Sequence, residues 1–126
     1  LDMFSEMRTA ALLAKAVSGD ASALPAARAL RMATLDGATA LGLDRQIGSL
    51  EAGKRADITA VRLDQLNTVP LHNPLSQLVY STQASQVSHV WVNGRLLLDD
   101  GELTSINRRN IMEMARYWQN ALENPL

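Results

Sequence analysis

The run Ile47 to Val61, IGSLEAGKRADITAV, constrains this chain more than any other stretch, because two glycines frame a charged turn that opens directly into an apolar strand. Gly48 and Gly53 bracket the polar turn, and glycine reaches positive φ without steric cost. After them Ala56 to Leu63 alternates. Ile58, Ala60 and Arg62 fall on one side, and Asp57, Thr59, Val61 and Leu63 on the other, which is strand patterning.

Upstream the pattern is helical. Asp2 is placed to cap a helix in which Phe4, Met7, Ala11, Ala14 and Val17 recur at helical spacing until Gly19 stops it. Pro25 stands where a second helix begins, Ala26 to Ala33 are mostly strong helix formers, and Leu30 and Ala33 are expected to point inward. A third short helix is expected around Gly37 to Leu41, opened by Thr34 or Asp36 and closed by Gly42.

Downstream, Asp64 to Asn73 reads as a connector containing Pro70, and Asn73-Pro74 has the cap-then-proline order of a short helix through Ser81. Val87 to Val92 and Arg95 to Asp99 flank Asn93-Gly94, a pair suited to the positive φ angles of a type I′ hairpin turn. Asp100-Gly101 marks a further turn, after which Glu102 to Thr104 adds a few strand residues. A last helix, capped by Ser105 or Asn107 and stopped by Pro125, lines up Ile111, Met114, Ala115, Trp118, Ala121 and Leu122 in one packing stripe.

Composition narrows the function classes. A formal net charge of −1 in 126 residues, with both signs spread along the chain, makes no electrostatic surface for nucleic acid. No apolar run approaches the ~20 residues that span a bilayer, so no membrane partner is expected. Without cysteine there is neither a disulfide framework nor a thiolate metal site, which fits a cytoplasmic protein. The two histidines, His72 and His89, sit in different segments with no partner at metal-binding spacing. His89 reads as a structural residue of a strand, and His72 as support for a turn or helix start. Glu6, Arg8 and Glu51 read as solvated or ion-paired surface. Leu1 is not an initiator, so the chain is expected to begin inside a longer gene product.

The residues that carry these patterns also resemble a family. The turn GSLEAGKRADI, preceded by LDMFSEMRTAALLAKAVSGD and LPAARALRMATLDGATALGLD and followed by HNPLSQLVYS and Val87 to Arg95, is similar in kind and order to the C-terminal portion of the metal-dependent amidohydrolase superfamily. The subgroup resembled is the deaminases of 5′-methylthioadenosine and S-adenosylhomocysteine, with their chlorohydrolase relatives. The resemblance implies an α/β fragment: the last helices of a (β/α)₈ barrel over 1–46, the C-terminal strands of a small β-sandwich over 47–104 with an inserted helix at about 74–81, and a terminal packing helix over 105–126. In that helix's family counterpart the stripe packs back on the protein body.

What the resemblance implies for chemistry is mostly negative. Family members bind their metal through a His-x-His pair, two later histidines and an aspartate in a TDG segment just ahead of the stretch matching Leu1 to Arg8, and no residue here matches a ligand position. No catalytic or metal-binding residue is therefore expected in this chain, and the divalent ion, zinc or iron, belongs to the longer parent. Leu1, Asp2, Met3 and Phe4 are the candidates for the rim of the parent's substrate site, with Asp2 also expected as a cap. The implied reaction is hydrolytic deamination of an adenosine-type small molecule by a metal-activated water. The alternatives are a chlorohydrolase or another aminohydrolase (guanine, triazine) on the same scaffold, and a non-catalytic module that dimerises. About three strands leave sheet edges and helix faces uncovered, so the partner expected is either the missing N-terminal part of the same protein or a second copy.

Overall fold

The computed structural model describes residues 2–123. Helix α1 spans Met3–Ser18 and begins where Asp2, in extended backbone, accepts the amides of Phe4 and Ser5; Gly19 ends it at φ 67°. Its inward stripe is short: Met7 and Ala11 are buried and Phe4 and Ala14 half-buried, but Val17, in line with them, is 80% exposed. Helix α2 (Ala26–Arg31) follows Pro25, which itself takes the cap position at φ −64°, ψ 159°. Three helices converge on one core. Ala11 of α1 and Ala26 and Ala29 of α2 bring backbones close, with Met7 and Val79 filling the space and Leu24, Leu30, Ala33 and Tyr80 around them. The inward placement of Leu30 and Ala33 agrees with their spacing.

The expected break before Gly37 does not occur. Alpha-helical α2 passes through one π turn (Met32–Asp36) straight into α3 (Gly37–Ala40), the Gly37 amide reaching back to the Met32 carbonyl. Thr34 and Asp36 are not caps. The Thr34 hydroxyl donates to the Leu30 carbonyl at 2.8 Å, a back-bond that loosens the ladder. Asp36 instead takes Arg28 and Arg31, at 2.5 and 3.0 Å, on the outer side of the turn. Gly42, at φ 70°, closes the path as expected.

Strand β1 keeps only Ile58–Val61 of the predicted stretch. Helix α4 (Pro74–Tyr80) starts as anticipated, with the Asn73 side chain accepting the Ser76 amide. Arg8 is no surface residue: its guanidinium reaches from α1 to the carbonyls of Val79 (3.3 Å) and Thr82 (2.6 Å), satisfying the open end of α4. A single turn of 3₁₀ helix (Ala84–Gln86) then leads into β2 (Val87–Val92), β3 (Arg95–Asp99) and β4 (Glu102–Leu103).

The sheet is an antiparallel meander in the order β1-β2-β3-β4, so it has four strands rather than three and is one sheet, not a closed sandwich. Asn93-Gly94 (φ 51°, 77°) and Asp100-Gly101 (φ 47°, 83°) both turn with two positive φ angles, as a type I′ hairpin requires. The β1 register shifts between Ala60 and Val61, where Ser88 is set opposite no residue and its hydroxyl donates to the Ala60 carbonyl.

Helix α5 (Arg108–Glu123) takes its cap from Asn107, whose side chain accepts the amides of Arg109 and Asn110. In this chain by itself every residue of α5 is exposed. Pro125 lies outside the described residues. The total accessible surface is 9321 Å², whereas a compact monomer of 13.7 kDa exposes roughly 6,600 Å². Leu12, Leu13, Leu41, Leu50 and the large apolar residues of α5 face outward. These are surfaces shaped to be covered.

Candidate functional site

A hollow lies where the start of α1, the π turn, the Ile47 to Val61 segment and β1 face one another. It encloses about 590 Å³, and its walls are apolar, with Phe4, Met7, Leu30, Ile58, Val61 and Leu78 among them. Thr34, Ser49, Asp57 and Thr59 are among its polar lining residues, yet Asp57 is already used: its carboxylate accepts the Asn93 amide at 2.6 Å and ties β1 to the hairpin turn.

Gly48 sets the shape of this hollow. At φ 89° its backbone lies flat against the π turn, and a Cβ added there would stand 2.7 Å from the Ala38 Cβ and 3.0 Å from the Leu35 Cα. The charged residues of the turn hold the loop that Gly48 opens. Lys54, whose side chain is largely buried, donates to the Asp44 carbonyl and the Ser49 hydroxyl, both at 2.6 Å, and stands 3.5 Å from the Glu51 carboxylate.

Glu51 is thus ion-paired surface, as expected. The Ser49 hydroxyl donates to it at 2.6 Å, and that bond first, then the Lys54 ammonium, holds its carboxyl below the usual pKa. A depressed folded pKa means that this bond supports the fold above the carboxyl's unfolded pKa and is lost as the pH falls through the folded one. Following the Glu51 side-chain carboxyl by NMR through an acid titration is expected to give a midpoint below that of an ordinary glutamate, and Ser49→Ala is expected to raise it. An unchanged midpoint in Ser49→Ala would contradict this geometry. Asp20 is likewise lowered, by the hydroxyl and amide of Ser22, in the turn between α1 and α2.

The rim candidates separate. Met3 and Phe4 line the hollow, Asp2 is committed to the α1 amides, and Leu1 lies outside the described residues. The histidines do not come together on it. His89 has one ring nitrogen 3.1 Å from Asp99 and the other 3.0 Å from the Ser88 hydroxyl, and its ring stacks on Trp91 at 5.5 Å. His72 is exposed ahead of α4, where the capping is done by Asn73. Among the described residues no three His, Asp or Glu side chains converge as a metal site would need, and no helix is long and apolar enough to cross a membrane.

Sequence reasoning missed the polar residues that are most buried. Gln86, Thr68 and Thr82 have almost no exposure, and each is fully engaged. Their partners are mainly backbone carbonyls and amides, which leave no residue-type signal.

Helices that wall an apolar concavity beside one antiparallel meander make an α/β arrangement. The model of the amidohydrolase family matches residues 1–97, and the chain belongs to that family. Over 122 residues it is 48% identical to a 5-methylthioadenosine/S-adenosylhomocysteine deaminase of Teredinibacter turnerae, covering 97% of this chain and 28% of the relative. A crystal structure of an adenosine deaminase from Xanthomonas campestris with bound zinc superposes with a TM-score of 0.93 at 50% identity, over 96% of this chain and 28% of that one. Atrazine chlorohydrolase TrzN of Arthrobacter aurescens, complexed with zinc and atraton, superposes with a TM-score of 0.82 at 30% identity, over 90% of this chain and 25% of that one. The chain thus spans a little over a quarter of the length of the proteins it matches.

Proposed function

We propose that this chain is the C-terminal portion of a metal-dependent aminohydrolase that deaminates an adenosine-type compound, 5′-methylthioadenosine or S-adenosylhomocysteine. In this reading residues 1–46 are the last helices of a (β/α)₈ barrel and 47–104 the C-terminal part of a small sandwich carrying α4 as an insertion. The segment 105–126 is its terminal packing segment, with α5 lying on the missing body. The barrel's missing body fills the 590 Å³ hollow, Asp2, Met3 and Phe4 lie with Leu1 at the rim of the substrate site, and the intact protein is cytoplasmic. The observation that carries the reading is the 48% identity to a deaminase of that specificity, sustained over nearly the whole chain.

The family's metal, zinc in both crystal structures named above, does not fit the residues present. His89 is taken up by Asp99 and Ser88 and no donor set converges among the described residues, so metal-activated water is not assigned to these side chains. Their part is to close the barrel and hold its rim. The likeness to an atrazine chlorohydrolase supports a second reading, in which the same scaffold acts on a chlorinated triazine; substrate choice belongs to loops outside this chain.

The intact polypeptide is expected to release ammonia from methylthioadenosine or adenosylhomocysteine in preference to guanine and chlorotriazines. The 126-residue chain alone is expected to bind no stoichiometric metal and to release none. Preference of the intact protein for a triazine would favour the second reading; ammonia release with bound metal in the chain alone would overturn both.

A further inference from the structure

Ser88 sits in the bulge of β2, where the β1 register shifts and no residue of β1 stands opposite it. Its backbone carbonyl accepts the Gly101 amide at 3.0 Å, which fixes the bulge against the turn after β3. The buried hydroxyl lies between two acceptors, the Ala60 carbonyl at 3.3 Å and Nδ1 of His89 at 3.0 Å. It has one proton and can give it to only one of them.

The far side of the imidazole decides which. Nε2 of His89 is 3.1 Å from the Asp99 carboxylate, a group that only accepts, so Nε2 carries a proton whether the ring is neutral or charged. In the neutral ring Nδ1 is then bare and takes the Ser88 proton. In the imidazolium Nδ1 is itself a donor, and the Ser88 hydroxyl, accepting from it, turns its own proton to the Ala60 carbonyl. Trp91, stacked on the imidazole at 5.5 Å and 9°, holds the plane of the ring. Asp99 is the charged group that His89 meets. Of the other ionisable groups flanking β2, Arg62 beyond β1 is paired with Asp100 and Asp57 ahead of β1 holds the Asn93 amide. Arg95 lies at the opposite end of β3 from Asp99, and Glu102 of β4 stands across from Asp99.

We infer that Ser88 and His89 form a proton-driven switch in the bulge between β1 and β2. With His89 charged, the Ser88 hydroxyl binds the Ala60 carbonyl and ties the two strands; with His89 neutral, it turns to the ring and releases that carbonyl. Ile58, Thr59 and Val61, on either side of Ala60, line the hollow, so the switch sets how firmly that wall is held. Its parts all belong to β1, β2 and β3, and it stands independently of which substrate the whole protein takes.

The test uses the intact polypeptide, labelled with ring-15N histidine and with 13C-carbonyl alanine and 15N valine, so that the Ala60-Val61 peptide gives its own signal. The His89 ring is identified by its loss in His89→Gln, and the Ala60 carbonyl by its loss in Val61→Ile. Across a pH titration the Ala60 carbonyl is expected to shift with the same midpoint as the His89 ring. In Ser88→Ala the ring should still titrate while the Ala60 carbonyl stays flat, and in Asp99→Asn the two midpoints should move together. An Ala60 carbonyl that is flat through the ring's titration, or that responds equally in Ser88→Ala, would overturn the inference. So would a ring that holds one protonation state over the whole pH range in which the polypeptide stays folded.

Discussion

Gly48→Ala is expected to be the most damaging single-methyl change in the chain, costing about 3 kcal/mol or more, whereas Gly53→Ala, five residues on, should cost about 1 kcal/mol. Both glycines have nearly the same backbone, φ 89° and 91°, so the conformational penalty for an L side chain is shared. Their surroundings differ. At Gly53 an added Cβ meets nothing within 4 Å, while at Gly48 it meets the Ala38 Cβ at 2.7 Å, the Leu35 Cα at 3.0 Å and the Thr34 carbonyl at 3.2 Å. None of these is the far end of a flexible side chain. Relief requires the turn to lift off the helix, which would shift β1 and open the hollow between them. Urea denaturation of the two variants side by side reads the difference, and equal losses of stability would refute the close approach.

That comparison also marks the limit of what was legible in the residues. Both glycines could be read as a turn pair, because positive φ is a property of the residue itself. Their unequal packing could not, because it depends on helical residues ten or more positions upstream. The same division runs through the fold. Asp2, Asn73, Asn93-Gly94 and Asp100-Gly101 act on amides and dihedrals within three residues of themselves, and the structure uses each as expected. Thr34 and Asp36 have the chemistry of caps, but their donors and acceptors are spent elsewhere. Thr34 bonds the preceding turn and Asp36 two arginines, so the helix runs on through a π turn instead of breaking.

Arg8 and the stripe of α5 show two further ways in which pattern underdetermines structure. Arg8 looked like surface because carbonyl partners more than seventy residues away have no sequence signature. The stripe of α5 was readable as apolar, yet periodicity says only that a face needs covering, not by what. For the candidate site the case is similar. Met3 and Phe4 do reach the hollow, but the residues that would give it chemistry are not among those described, and no spacing of His72 and His89 could have supplied them.

Gln86→Leu is the second change expected to have a large effect, at about 2–4 kcal/mol, although it preserves most of the side-chain volume. Gln86 is 2% exposed and sits where the connector, the 3₁₀ turn and β1 meet. Its Nε2 donates to the Arg62 carbonyl at 2.9 Å, and its Oε1 accepts from the Gln83 amide at 2.9 Å and from the Asn67 amide side chain at 3.1 Å. Its own backbone carbonyl accepts the Arg62 amide as well, so residue 86 fastens the end of β1 on two levels. Leucine would fill the space but take from the Arg62 carbonyl and the Gln83 amide the partners that Gln86 gives them, and the cost of an unmade bond exceeds the gain of a made one. Gln86→Glu separates the two halves of the network, since a carboxylate can still accept from Gln83 and Asn67 but turns an oxygen toward the Arg62 carbonyl. Hydrogen exchange at the Arg62 and Gln83 amides is expected to rise in both variants, more at Gln83 in the leucine variant and more at Arg62 in the glutamate variant. Equal protection in all three proteins would mean that the side chain of Gln86 holds nothing that the backbone does not hold without it.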